Sequence, residues 1–207
     1  MNIYKYFSLE RGTNFLNLPL MRISTSNSLN DPFESEYARS DLKAIEEIYR
    51  KKYENHWQAY LKKFQDYGII SLTTNNNNLL MWSHYADEHK GVCIGFKEQL
   101  IRPEGSMIYP IDVTYQDNYP FKEIIERFHH FEHQPGMNNI QNIAGDILYS
   151  VLGTKYTSWS YERERRLVFV SSKAVEFSPQ AVNSIAFGLR TTERDKATLK
   201  NITSGCE

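Results

Sequence analysis

Two spacings of apolar residues alternate along the chain. In short stretches apolar and polar residues alternate or apolar residues run together, which suits strands, whose successive side chains point to opposite faces. Residues 3–7, Ile-Tyr-Lys-Tyr-Phe, predict a first strand with Tyr4 and Tyr6 on one face and Lys5 on the other. Residues 16–21 lead into Arg22-Ile23-Ser24-Thr25-Ser26, read as a second strand. Residues 68–73, 92–96, 111–115, 167–170 and 184–188 are rich enough in β-branched, apolar and aromatic residues to supply the remaining strands. Elsewhere the spacing is helical. A stripe runs through Leu42, Ile45, Ile48, Tyr49, Tyr53, Trp57, Tyr60, Leu61 and Phe64, and helices are also expected over 79–85, over 121–152 with a break at Pro135-Gly136, and over 192–202. Residues 27–32 read as a turn and the asparagine run 75–78 as a loop.

Short strands separated by unequal helical insertions predict an α+β fold, with small central sheets, rather than the regular alternation of a doubly wound sheet. With 207 residues, no internal repeat and no long linker, one domain spanning 1–207 is expected. No apolar run approaches the roughly 18 residues of a membrane span, and no basic-then-apolar leader opens the chain. Only Cys93 and Cys206 occur, which leaves no disulfide framework. A cytoplasmic protein without a membrane partner is expected. The net charge of −1 hides a gradient, because residues 155–207 carry nine Lys and Arg against six acids while residues 1–154 carry fifteen against nineteen. That excess is far smaller than nonspecific nucleic-acid binders use. Fourteen Tyr, eleven Phe and three Trp suit either a Tyr-rich core or a cleft with flat surfaces for ring-shaped ligands.

Three constellations could carry chemistry. In 158–167, Ser-Trp-Ser-Tyr-Glu-Arg-Glu-Arg-Arg-Leu, an extended strand would place Glu162, Glu164 and Arg166 on one face. Paired carboxylates beside an arginine suit acid or base work and stabilisation of positive charge. A solvated edge strand laced with ion pairs explains the same pattern. In 26–34, Ser-Asn-Ser-Leu-Asn-Asp-Pro-Phe-Glu, Asn30 or Asp31 could cap a helix, while Asp31 and Glu34 also suit a site. In 82–91, Trp82, His84 and Tyr85 combine a stacking ring, an imidazole and a phenol. His84 and His89 flank Asp87 and Glu88, but their five-residue interval does not align two ligands on one helix face, so no metal is expected. His129, His130 and His133 read as helix surface, and Cys93 as a buried thiol. No phosphate loop, dinucleotide fingerprint or nucleophile elbow occurs.

Taken in order, Tyr4-Lys5-Tyr6, Leu29-Asn30-Asp31-Pro32-Phe33-Glu34, Met81-Trp82-Ser83-His84-Tyr85-Ala86-Asp87 with residues 89–96, Lys155 with residues 159–166, and Ile185-Ala186-Phe187-Gly188 resemble one bacterial family, domain of unknown function 2971. The resemblance spans nearly the whole chain and implies no activity by itself. More distantly, Ser24-Thr25-Ser26 after a hydrophobic strand and Glu162-Arg163-Glu164 at the start of a later one are similar to motifs of ADP-ribosyltransferases. That second resemblance implies an ADP-ribosyltransferase-like fold and NAD as substrate. It implies that Lys5 or Tyr6 stands where the first strand of those enzymes offers an arginine or histidine to NAD. It further implies that Ser24 and Ser26 brace the nicotinamide pocket, that Glu164 meets the nicotinamide ribose, and that Glu162 helps the acceptor attack.

Trp82 or Tyr85 would stack on nicotinamide, and Asn30, Asp31, Glu34, His84 and Arg166 would line the cleft, His84 with a catalytic part. The expectation is a bacterial toxin or antiviral defence effector acting on a nucleic-acid or protein acceptor, with an antitoxin or defence-system partner. Two other readings stay open: a metal-dependent nuclease or phosphoesterase using Asp31, Glu34, Glu162 and Glu164, and a non-catalytic nucleotide- or partner-binding module.

Overall fold

The computed structural model describes residues 1–25, 47, 67–101, 108–118, 150, 152–170 and 174–204. The expected turn at 27–32 and most of the helices expected over 41–67 and 121–152 lie outside these residues; Glu47, Ser150 and Leu152 are helical, whereas Tyr67 opens a strand and not the end of a helix.

Strand β1 (Asn2–Phe7) is followed directly by helix α1 (Leu9–Asn17), whose start is fixed by the Ser8 hydroxyl accepting from the Arg11 amide at 3.4 Å. The sequence reading expected no helix here and began its second strand approach at residue 16. The stripe of Leu9, Phe15 and Leu16 is short and interrupted by polar residues, so it does not register as periodic, yet Phe15 is buried against the sheet. The second strand divides into β2 (Leu20–Arg22) and β3 (Ser24–Thr25). Next come β4 (Tyr67–Thr73), α2 (Leu79–Tyr85) and β5 (Val92–Lys97), all where the pattern placed them. The asparagine run does local work before α2: the Asn78 side chain accepts from the amides of Leu80 and Met81 at 2.9 and 3.2 Å.

The strand expected over 111–115 is two strands, β6 (Ile108–Asp112) and β7 (Thr114–Gln116). They part at Val113 because β6 joins the strand carrying Arg166, while β7 pairs in parallel with β8 (Thr154–Tyr156). A 3₁₀ turn, Thr157–Glu162, leads to β9 (Glu164–Val170), then β10 (Ala174–Glu176), β11 (Val182–Phe187) and α3 (Glu193–Ser204). Neither β8 nor β10 was expected.

The main sheet runs β11-β5-β1-β4-β9-β6, with antiparallel neighbours and β3 paired to β4. This is the α+β architecture expected. The strand of Glu164 and Arg166 lies between β4 and β6, so it is not a solvated edge. One face of the sheet buries the core, in which the rings of Phe7, Phe15, Phe96 and Phe177 meet with centroids 5.2–5.8 Å apart. Ile70, Leu72, Ile94 and Leu167 complete it. Cys93 is buried in β5, opposite Tyr6 on one side and Ala186 on the other. Among the described residues no helix is long and apolar enough to cross a membrane.

After α2 the chain turns through three successive left-handed residues, Asp87, Glu88 and His89, with φ of 48°, 52° and 71°. The turn closes through the Gly91 amide donating to the Ala86 carbonyl at 2.8 Å, and it is clamped from the far end of the chain by Gly188 and Thr191. A Cβ on Gly91 would collide with the Phe7 carbonyl oxygen, a backbone atom that cannot swing away. Gly91→Ala is therefore expected to destabilise the fold by about 1–3 kcal/mol or more, read as a lower midpoint in urea.

Candidate functional site

Strand β1 pairs with β5 along its whole length, from Asn2↔Lys97 to Phe7↔Val92, but with β4 only at Tyr4↔Thr73. Where β1 and β4 part, a cleft of about 270 Å³ opens, lined by Tyr4, Lys5 and Tyr6 from one strand and Ser71, Leu72 and Thr73 from the other. Glu164 and Arg166 reach it because their strand pairs Thr73↔Glu164 and Ser71↔Arg166.

A buried chain of charges forms the site. Arg166, fully buried, grips Glu164 with two nitrogens, Nε to Oε1 at 2.9 Å and Nη2 to Oε2 at 3.0 Å, and donates Nη1 to the Leu152 carbonyl at 2.7 Å. Lys155 stands between the acids, its ammonium 2.6 Å from Glu162 Oε2 and 3.3 Å from Glu164 Oε2. The same ammonium lies 4.8 Å from the centre of the Trp159 ring. The Tyr85 hydroxyl donates to Glu162 Oε1 at 2.6 Å, and the Tyr115 hydroxyl accepts from the Glu164 amide at 2.7 Å.

The sequence reading brought Glu162, Glu164 and Arg166 together on an extended strand. They do meet, by another route. Glu162 ends the 3₁₀ turn, and Arg163 is left-handed (φ 44°, ψ 53°) before the strand starts at Glu164. The Thr73 hydroxyl donates to the Glu162 carbonyl at 2.6 Å, the Thr74 amide to the Arg163 carbonyl and the Asn78 side chain to the Tyr161 carbonyl, so the bend is held from outside.

Two acids and two cations balance within this network, and among the described residues the remaining charges on the cleft are both positive. Lys5 reaches across the parting strands to donate to the Ser71 carbonyl at 2.7 Å, and Arg11 projects from α1. Burial lowers the Lys5 ammonium's pKa, Glu164 opposes the fall and Arg11 adds to it, leaving Lys5 at about 8. Burial alone would raise the Glu164 carboxyl, but Arg166, by charge and hydrogen bond, together with Lys155, holds it at about 2. Glu164 therefore stays ionised near neutral pH. Burial pushes the Tyr6 and Tyr115 phenols up, so both keep their protons.

Of the other residues singled out from the sequence, Lys5, Tyr6, Ser24 and Tyr85 line the cleft. Trp82 does not; it is buried edge-on to Tyr6 at 5.0 Å and donates its Nε1–H to the Asn76 carbonyl at 3.2 Å. His84 is exposed on the outer side of α2, away from the cleft lining, with its ring 6.3 Å from that of Tyr161. Ser26, Asn30, Asp31 and Glu34 lie outside the described residues, as do His129, His130 and His133. Among the described residues no group of three His, Cys, Asp or Glu side chains could hold a metal ion. The cleft also contains residues the sequence reading did not assign to it: Lys155, Arg11, Tyr4, Ser71 and Thr73. Of these, Lys155 and Tyr4 had left a signal, as parts of the motifs that carry the family resemblance.

An α+β protein with a buried acid–base network at the parting of two central strands is the class that fold and site define. Residues 81–167 match the model of a family described as a protein of unknown function, DUF2971. The match runs from α2 to Leu167 and so contains Tyr85, Lys155 and the two glutamates, while the motifs at Tyr4-Lys5-Tyr6 and 185–188 fall beyond it. Neither a curated protein nor a solved structure matches the chain.

Removing one partner of this network leaves a buried charge uncompensated, so Arg166→Met is expected to cost about 3–5 kcal/mol at neutral pH in urea unfolding. Because Glu164 sits at about 2 rather than its ordinary 4.5, its contribution is complete above pH 4.5 and is lost as pH falls towards 2. The urea midpoint of the wild type should decline across that window, and Glu164→Gln should flatten the decline.

Proposed function

We propose that the protein is an ADP-ribosyltransferase-like enzyme that takes NAD as substrate. The observation that carries this reading is the coexistence, in one cleft, of a carboxylate that stays ionised, Glu164, with two cations outside its ion-pair network, Lys5 and Arg11. Cleavage of the nicotinamide–ribose bond sends the bonding electrons out with neutral nicotinamide and leaves positive charge on the ribose. A fixed carboxylate at that carbon stabilises the charge without exchanging a proton. Lys5 and Arg11 suit the pyrophosphate, and the rings of Tyr4, Tyr6 and Tyr85 offer stacking faces for nicotinamide. Ser24, at the rim contributed by β3, suits the carboxamide. Glu162, held by the Tyr85 hydroxyl and the Lys155 ammonium, takes the part of receiving the acceptor's proton in this reading.

In this reading the protein works in the cytoplasm as a bacterial toxin or antiviral defence effector, transferring ADP-ribose to a nucleic-acid or protein acceptor, with an antitoxin or defence-system partner. A divalent-ion phosphoesterase gains less from the geometry, since the Lys155 ammonium already occupies the place between the two carboxylates where the ion would bind. A binding module without turnover would use the same cations.

Incubation with NAD should release nicotinamide, and Glu164→Gln should slow release by on the order of 10²-fold while circular dichroism shows a folded protein. Arg11→Gln, on an exposed helix position, should raise KM for NAD with little change in kcat. NAD affinity should fall as pH rises through about 8, where Lys5 loses its proton. Absence of both nicotinamide release and an NAD-dependent rise in Tm would overturn the reading.

A further inference from the structure

Beside the charge network, three rings stand in a row on the outside of the molecule. Trp159 and Tyr161 come from the 3₁₀ turn Thr157–Glu162 and His84 from α2. The Trp159 and Tyr161 centroids are 6.1 Å apart with planes at 35°, and Tyr161 and His84 are 6.3 Å apart at 44°. His84 is exposed and the other two rings are partly so. Their inner sides are supported: Lys155 lies against Trp159, and Tyr161 packs on the cluster of Tyr6, Met81 and Trp82. Such rings are fixed in place before any ligand arrives, which lowers the entropy lost on binding.

On the two elements that carry the row no acid is exposed, and of the exposed acids Asp87 and Glu88 in the turn after α2, Glu88 is paired with Lys90 at 3.5 Å. Helix α2 contains no acid, and the only acid of the 3₁₀ turn, Glu162, is buried and tied to Lys155 and Tyr85. Arg163 follows immediately and is exposed, its backbone pinned by the Thr74 amide and hydroxyl. Exposed hydroxyls of Thr157, Ser158 and Ser160 fill the intervals. Flat π faces with a cation and hydroxyls, and no exposed carboxylate on either element, complement bases joined by phosphates. A duplex hides its base faces within the stack, so a duplex does not match this surface. We infer that this surface binds single-stranded nucleic acid by stacking its bases on Trp159, Tyr161 and His84.

The row ends beside Tyr85, whose neighbour His84 belongs to it and whose hydroxyl meets Glu162 in the cleft. The inference goes beyond the NAD reading and concerns binding alone, so it can fail while NAD chemistry stands, or stand while NAD chemistry fails.

The test is fluorescence anisotropy of the full chain, without NAD, against labelled oligodeoxythymidylate, oligoadenylate and a duplex of matched length. Single strands should bind more tightly than the duplex. Trp159→Ala and Tyr161→Ala should each weaken single-strand binding by about 5–150-fold, and Tyr161→Phe should retain it. Arg163→Gln should lower the slope of log affinity against log salt by about 1. Thermal melting establishes that each variant is folded; should Trp159→Ala unfold by releasing Lys155, Tyr161→Ala and Arg163→Gln carry the test. No binding of single strands, equal affinity for the duplex, or affinity unchanged in folded Tyr161→Ala would overturn the inference.

Discussion

A guanidinium with no access to water has to find every partner inside the protein. Arg166 finds them in Glu164 and the Leu152 carbonyl, and the arrangement of the site follows. Taking a guanidinium and a carboxylate out of water costs several kcal/mol for each ion, repaid only by close, well-directed contacts. The bidentate grip meets that requirement for Arg166. Lys155 meets it for the remaining acid surface, by bridging Glu164 to Glu162. One chain of contacts thereby ties together β9, β8, the 3₁₀ turn and α2. It acts together with the packing of Tyr161 on Met81 and Trp82 to set where the 3₁₀ turn lies against the cleft.

Apolar patterning made the sheet legible. The β-branched runs of β4 and β5 and the short helix between them were read correctly, because burial on both faces leaves little choice of residue. The site was legible only in outline. Glu162, Glu164 and Arg166 were expected to converge through strand alternation, whereas a left-handed Arg163 brings Glu162 back into line, a bend dictated by Thr73, Thr74 and Asn78 from distant sequence. Lys155 pairs across seven and nine residues, intervals with no meaning in any regular element. The cluster of Trp82, His84 and Tyr85 looked like one constellation, but a helix turns about 100° per residue and distributes it. Trp82 goes to the core, His84 to the surface and Tyr85 to the cleft. Lys5 was placed on the face opposite Tyr4 and Tyr6, and it reaches the same cleft only because β1 and β4 part.

Composition left two readings of the many aromatics, and the fold uses both. Phenylalanines fill the core, where a ring without a polar atom needs no partner. Tyrosines gather in and beside the cleft, and three of their hydroxyls are bonded: Tyr6 to the Asn75 carbonyl, Tyr85 to Glu162, Tyr115 from the Glu164 amide. The division is chemical, since a phenol at the edge of a cavity can satisfy its hydroxyl while its ring excludes water.

Cys93 lies at the centre of this arrangement, with β1 on one side and β11 on the other. Burial pushes its thiol up to about 12, so the folded chain offers almost no thiolate to an electrophile at neutral pH. A thiol reagent can reach this sulfur only when the central ladders separate. Modification of Cys93 therefore keeps time for the sheet, its rate counting the moments at which the strands beside the cleft come apart.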